Sequence, residues 1–334
     1  MLSYLKFSER YHLKISKMLY SLPWLLFYTQ VLSTMAGYLY DKYSPNSLPQ
    51  SASPRGVQYG YNPIGVEVEP RCGQRFGGAL LGRGHGRDLD SNTEYGEYPW
   101  HVGVLATVEG DTEYVCGGAL VDSQHVLTAA HCVKSFYAQE LSVRVGDWDV
   151  NSDLELYSHR DMPVSDIFLH ERFFAGSLHN DIALVRLSIP VPWSDMPQVA
   201  PICLPLPQES FSGLRCWVTG WGQDAFQMEG ELQARLQEVD VPVVGHKRCE
   251  QALRREGLGQ RFKLHPGWLC AGGEEGKDAC SGDGGGPLLC QVGDSMELAG
   301  LVSWGVGCGK EGVPGVYTNI AAYVNWIRET VSML

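Results

Sequence analysis

The chain has 334 residues, a formal net charge of −12, 44% hydrophobic and 19% charged residues, and ten cysteines. That length holds one large domain or two small ones, and the composition is ordinary for a globular protein. The acidic balance argues against nucleic acid as a partner, and ten cysteines point to an oxidising compartment if an export signal is present.

Lys6, Arg10, Lys14 and Lys17 form a basic lead, and residues 18–40 then carry no charge. The apolar centre of that stretch is 22–32, followed by the small residues Ser33, Thr34, Ala36 and Gly37. This pattern predicts a secretory signal over 1–36, with Met18 as an alternative start and cleavage near Ala36. An uncleaved anchor is the competing reading, since the stretch is long enough to span a bilayer. Pro23 and Gln30 weaken it. Residues 37–87, and 41–70 most densely, are rich in Pro, Ser, Gly, Tyr and Asn without sustained apolar periodicity. They predict an extended linker. Cys72 is its only cysteine, so a six-cysteine module does not fit there.

From Asp88 to the end, 88–334, the texture is that of one globular domain. Short β-type runs at 100–107, 126–128, 141–145, 182–187, 216–219, 298–304 and 315–318 are rich in Val, Leu and Trp and separated by Gly/Pro clusters. Such runs predict an all-β barrel or sandwich. Two helices are expected, at 245–256 and at 320–331, the second with Ile320, Val324, Ile327 and Val331 on one face.

Thr128-Ala129-Ala130-His131-Cys132, Asn180-Asp181-Ile182-Ala183-Leu184 and Cys280-Ser281-Gly282-Asp283-Gly284-Gly285-Gly286-Pro287 follow one another in that order. They resemble the histidine, aspartate and nucleophile motifs of the trypsin/chymotrypsin family of serine proteases, whose chain order is the same. Gly96-Glu97-Tyr98-Pro99-Trp100, Cys216-Trp217-Val218-Thr219-Gly220-Trp221-Gly222, Ser303-Trp304-Gly305 and Pro314-Gly315-Val316-Tyr317-Thr318 are similar to further landmarks of that family. The resemblance covers about 88–331 and implies a trypsin-like double six-stranded antiparallel β-barrel with a C-terminal helix. It assigns His131 as the base position, Asp181 as the residue that fixes its tautomer, and Gly282 and Gly284 as oxyanion-hole positions.

The third motif departs from the family pattern Gly-Asp-Ser-Gly-Gly-Pro. Glycine stands at 284, and a hydrogen cannot attack a carbonyl. Neither Ser281 nor Ser303 is expected to reach the scissile carbonyl beside His131. Losing the serine of a related triad costs on the order of 10⁶ in turnover. A second departure lies at Arg87-Asp88-Leu89-Asp90, where active members carry Ile-Val-Gly-Gly, whose freed amine pairs with the aspartate before the serine. Asp283 is therefore expected to have another donor or to lie in a partly exposed loop.

The resemblance also places Asp278, Gly305 and Gly315 in a specificity pocket shaped for Arg or Lys. It pairs Cys72–Cys203, Cys116–Cys132, Cys216–Cys290, Cys249–Cys270 and Cys280–Cys308. A zinc site is not expected, because no Cys-x-x-Cys occurs. Asp147, Asp149, Asn151, Asp153 and Glu155 alternate along one stretch, and calcium is a possible ligand of the corresponding loop in the family. No other cofactor is required. The functional expectation is a secreted, inactive homologue of the arthropod masquerade-like type without a clip module. Its partners are expected to be extracellular proteases, zymogens or protease inhibitors. An active trypsin-like endopeptidase and an adhesive structural protein are the alternatives.

Overall fold

The computed structural model describes residues 69–76, 93–223 and 232–334. The expected signal segment, most of the linker and the segment around Asp88 lie outside them. Twelve strands close into two antiparallel barrels. In the first, β1 (His101–Val108), β2 (Asp111–Leu120), β3 (His125–Thr128), β6 (Ala183–Leu187), β5 (Arg160–Leu169) and β4 (Leu141–Val145) follow one another around the wall. In the second the order is β10 (Pro287–Val292), β11 (Ser295–Trp304), β12 (Pro314–Asn319), β9 (Trp268–Gly272), β8 (Gln237–Val244) and β7 (Arg215–Gly220). Closure leaves no open sheet edge.

The strands follow from the side chains. In β4, Leu141, Val143 and Val145 are buried while Ser142 and Arg144 are not, which is the period-two pattern of a half-buried strand. β1 carries an unbroken apolar run and is buried along most of its length. Trp100, Leu120, Leu127 and Leu184 are fully buried in one cluster, each contributing about 2 kcal/mol over exposure.

Among the described residues three α-helices accompany the barrels: α1 (Ala130–Val133), α2 (His246–Leu253) and α3 (Ile320–Ser332). α3 buries Ile320, Val324 and Ile327, spaced to fall on one face, in the same cluster as the first barrel. The second expected helix thus spans nearly the predicted residues. The first is shorter than 245–256, because its last turn unwinds at Gly257, whose φ of 109° no helix contains. Among the described residues no helix is long and apolar enough to cross a membrane.

Five disulfides staple the fold: Cys72–Cys203, Cys116–Cys132, Cys216–Cys290, Cys249–Cys270 and Cys280–Cys308. The first tethers the segment read as a linker to the barrels, and the residues that follow Cys72 pack against them. Residues 73–76 are packed. Gly73 donates to Pro201 O at 2.9 Å and accepts from Met296 N at 2.8 Å. Phe76 is buried, and Arg75 pairs with Glu97 and Glu238 while lying 4.5 Å from the centre of the Tyr98 ring. A guanidinium held by two carboxylates and an aromatic face is a strong anchor.

Candidate functional site

The cleft lies where the barrels meet. The first barrel supplies His131 on α1, directly after β3, and Asp181, which leads into β6. The second supplies the loop before β10 that contains Gly284. The Asp181 carboxylate is fully buried and fully engaged. It accepts from His131 N at 2.8 Å, His131 Nδ1 at 2.7 Å and Ser303 Oγ at 2.6 Å, while Thr318 Oγ1 donates to its backbone carbonyl at 2.7 Å. A carboxylate accepting from Nδ1 makes that nitrogen the protonated one and leaves the lone pair on Nε2. The approach to Asp181 is strained: Leu178 and Asn180 both have positive φ, near 57° and 55°. Asn180 is held there by Tyr323 Oη, which donates to its side-chain oxygen, and by its own bond to Arg172 O.

Gly284 faces the base. A Cβ built on it lies 3.3 Å from His131 Nε2 and 3.5 Å from Cys116 Sγ. The backbone there has no positive φ, so a side chain is conformationally allowed. Its neighbour Gly285 is different. With φ of 74°, its Cβ would collide with Thr128 Oγ1 and Gly117 O. Among the described residues no hydroxyl lies within hydrogen-bond distance of His131 Nε2. Ser303 Oγ is committed to Asp181, and Ser281 is exposed. The N–H groups of Asp283, Gly285 and Gly286 all donate within the fold. Those of Gly282 and Gly284 find no acceptor among the described residues, and both glycines line the cleft. Both N–H groups thus border the cleft beside the position that lacks a side chain.

The cleft measures about 340 Å³ and runs from His131 past Gly284 to Asp278, with Gly305 and Gly315 in its walls and Tyr317 at its base. A Cβ on Gly315 would stand 3.0 Å from Asp278 Oδ1, so glycine there leaves the carboxylate open to the cleft. Asp278 accepts from Gly309 N at 3.1 Å and Ala279 N at 3.0 Å. No basic side chain pairs with it among the described residues. Burial pushes its pKa up to about 6, the Asp283 charge adding a little. The Tyr317 hydroxyl is buried without a partner, and burial raises it well above its usual range, with the Asp278 charge adding to the effect.

Asp283 has other donors. Gly222 N reaches Oδ1 at 2.8 Å and Cys280 N reaches Oδ2 at 2.9 Å. Gly220 and Gly222 wrap it so closely that a Cβ on either would overlap its oxygens. Two backbone donors do not offset the loss of water, and burial again pushes the pKa up to about 6. Tyr114, from β2, donates to Gly282 O at 3.2 Å and so ties the loop to the first barrel. Tyr114, Tyr317 and Thr318 were not singled out from the sequence as site residues. Each is brought in by barrel closure, and no local spacing marks them.

The acidic stretch does not converge as a set. Asp147 is buried against Arg144 at 3.4 Å and His159 at 3.8 Å, and its Oδ1 has no partner. Glu155 accepts from Asp149 N through Oε1, and its Oε2 is buried and unpartnered. Asp149 pairs with Arg235 at 3.1 Å. Asn151 and Asp153 point to solvent, because turns at the tip of the loop break the alternation. Asp147 and Glu155 each keep one buried oxygen without a partner. Cys116, His131 and Cys132 bring donor atoms within 4.8 Å of one another, but their sulfurs are joined to each other and make no metal set.

The trypsin family model matches residues 90–327. The chain is 46% identical over 242 residues to an Aedes aegypti protein described as inactive CLIP domain-containing serine protease A3, covering 72% of this chain and 50% of that one. It is 40% identical over 288 residues to phenoloxidase-activating factor 2 of Galleria mellonella, covering 81% of this chain and 92% of that one. It is 39% identical over 243 residues to protein masquerade of Drosophila melanogaster, covering 72% of this chain and 22% of that one. The chain thus spans about half or less of two of these relatives and nearly all of the third.

Proposed function

Because the chain belongs to the trypsin family, we propose that it is a secreted, catalytically inactive serine protease homologue. It acts by binding, as a cofactor or regulator in an extracellular proteolytic cascade of immune type. One observation carries this reading: His131 Nε2 faces a glycine, 3.3 Å from where a Cβ would begin. A base and two oxyanion donors without a nucleophile retain about 10³–10⁴ of acceleration over water, against on the order of 10⁶ lost. The Aedes and Galleria relatives, described as an inactive serine protease and a phenoloxidase-activating factor, support the same direction.

The binding half of the cleft favours a basic segment. Asp278 meets no cation among the described residues and lies in a glycine-walled slot, where an Arg or Lys of a protease, zymogen or inhibitor forms a charge-assisted pair. Calcium is a second ligand. Asp147 Oδ1 and Glu155 Oε2 are orphaned buried oxygens, the chemistry that calcium takes, with carbonyls and water completing six to eight ligands. An EDTA-dependent drop in Tm is expected from that site.

The test applies benzamidine, an arginine-like cation, and an arginine anilide to the same sample. The proposal expects saturable benzamidine binding, weakening about tenfold per pH unit below about 6 as Asp278 protonates, with no anilide turnover. Sustained turnover that copurifies with the protein overturns it.

A further inference from the structure

His131 keeps its orientation with no hydroxyl to act on. The nearest reactive atoms on its Nε2 side are sulfurs. Cys132 Sγ lies 3.6 Å from Nε2, and the space a Cβ on Gly284 would fill lies 3.3 Å from Nε2 and 3.5 Å from Cys116 Sγ. Gly284 and His131 both line the open cleft. A side chain at 284 would pack 3.5 Å from Cys116 Sγ, and glycine leaves that space empty. The arrangement sets a nucleophile's approach at one sulfur and a proton donor at the other.

We propose that Cys116–Cys132 is a thiol-responsive disulfide, opened by a low-molecular-weight thiol entering over Gly284 with His131 as the proton carrier. The entering thiol gives its proton to His131 Nε2. Its sulfur attacks Cys116 Sγ and forms a mixed disulfide. The Cys116–Cys132 bond breaks, its electron pair leaves on Cys132 Sγ, and the imidazolium beside that sulfur returns the proton. A second thiol displaces Cys116, so two thiols are oxidised to one external disulfide and one protein disulfide is reduced to two thiols. Exchange needs a thiolate attacker and a stabilised leaving sulfur, and the Asp181–His131 pair supplies both proton movements. Cys116, within β2, and Cys132, on α1, are joined by this bond, so its opening removes the covalent tie between β2 and the helix that carries His131. The inference is independent of whether the cleft binds a peptide.

Exposure alone predicts a different order. Cys72 is exposed and Cys280 and Cys308 are half-buried, so those pairs open readily, whereas Cys116 and Cys132 are only 6% and 5% exposed. The fair comparison is with the buried pairs Cys216–Cys290 and Cys249–Cys270. The full chain is treated with reduced glutathione, quenched by alkylation, and read disulfide by disulfide by mass spectrometry. Cys116–Cys132 is expected to open at least about tenfold faster than the two buried pairs. Gly284→Ser fills that space and slows it. His131→Gly slows it as well, and added imidazole restores the rate, which a merely structural loss would not allow. The two buried pairs report in the same molecules whether any variant has simply unfolded. Opening no faster than those pairs in the parent protein, or a rate untouched by His131→Gly, overturns the proposal.

Discussion

The two walls of the cleft treat buried carboxylates in opposite ways. On the first-barrel side, Asp181 accepts three hydrogen bonds and has none of its surface exposed. On the second-barrel side, Asp278 and Asp283 each hold two backbone donors, meet no cation among the described residues, and have pKa values pushed up to about 6. The first wall is a satisfied structural knot that holds a histidine in place. The second carries charge whose cost is not offset within the fold, which is the condition of a surface that gains from a cationic guest. The two halves are therefore unequal: the first is satisfied within the fold, and the second leaves two carboxylates without a cation among the described residues.

The sharpest way to break the contrast is at the loop that joins the walls. Gly285→Ala forces a Cβ onto Thr128 Oγ1 and Gly117 O at a positive φ. A loss above about 4 kcal/mol is expected in urea unfolding. Next is Asp181→Ala, which strands His131 Nδ1 and Ser303 Oγ. It should cost about 3 kcal/mol, and a loss below about 1 kcal/mol would show that the knot is not structural.

The opposite wall is probed by Asp278→Asn. A carboxylate whose folded pKa is raised above its ordinary value destabilises the fold fully at pH above the folded pKa. The cost is relieved as pH falls from about 6 toward the ordinary value. The parent's term is at most about 3 kcal/mol. The variant lacks it, so its stability relative to the parent should be greatest and level above about pH 7 and decline as pH falls from about 6 to about 4. Differencing against the parent cancels the opposing term from His101, which burial holds neutral with a pKa lowered to about 3. A flat difference profile would remove the contrast between the walls.

Much of this was legible in the sequence, for unequal reasons. The three motifs and their order mark the positions of His131, Asp181 and Gly284, because a side chain at the end of a strand is placed by that strand. β4 and β6 read directly from Val and Leu patterning. β2 did not, since its first half is Asp111-Thr112-Glu113-Tyr114 and two glycines sit in its second. β5 hid behind Arg160, Asp161 and Pro163, tolerated because much of that strand faces solvent. The packed segment at Cys72–Phe76 was masked by its Gly- and Arg-rich composition. Its order comes from partners 131 residues away across a disulfide and from the Glu97/Glu238 cage. The same holds for Tyr114 and Thr318, whose hydroxyls meet the site only after the barrels close.

The smallest effect is expected at Gly284. Gly284→Ser places a Cβ in a tight but open position and should shift stability by less than about 1 kcal/mol. It should restore little turnover, because no Ile-Val-Gly-Gly terminus exists to pair with Asp283. Robust peptide cleavage by this variant would mean that the oxyanion hole is already formed for catalysis.

The central claim, that no group in this cleft attacks a carbonyl, is tested most directly by intact-mass analysis after exposure to an excess of a fluorophosphonate. The account predicts an unchanged mass under conditions that label active trypsin to completion. A stoichiometric adduct on any residue lining the cleft would contradict it.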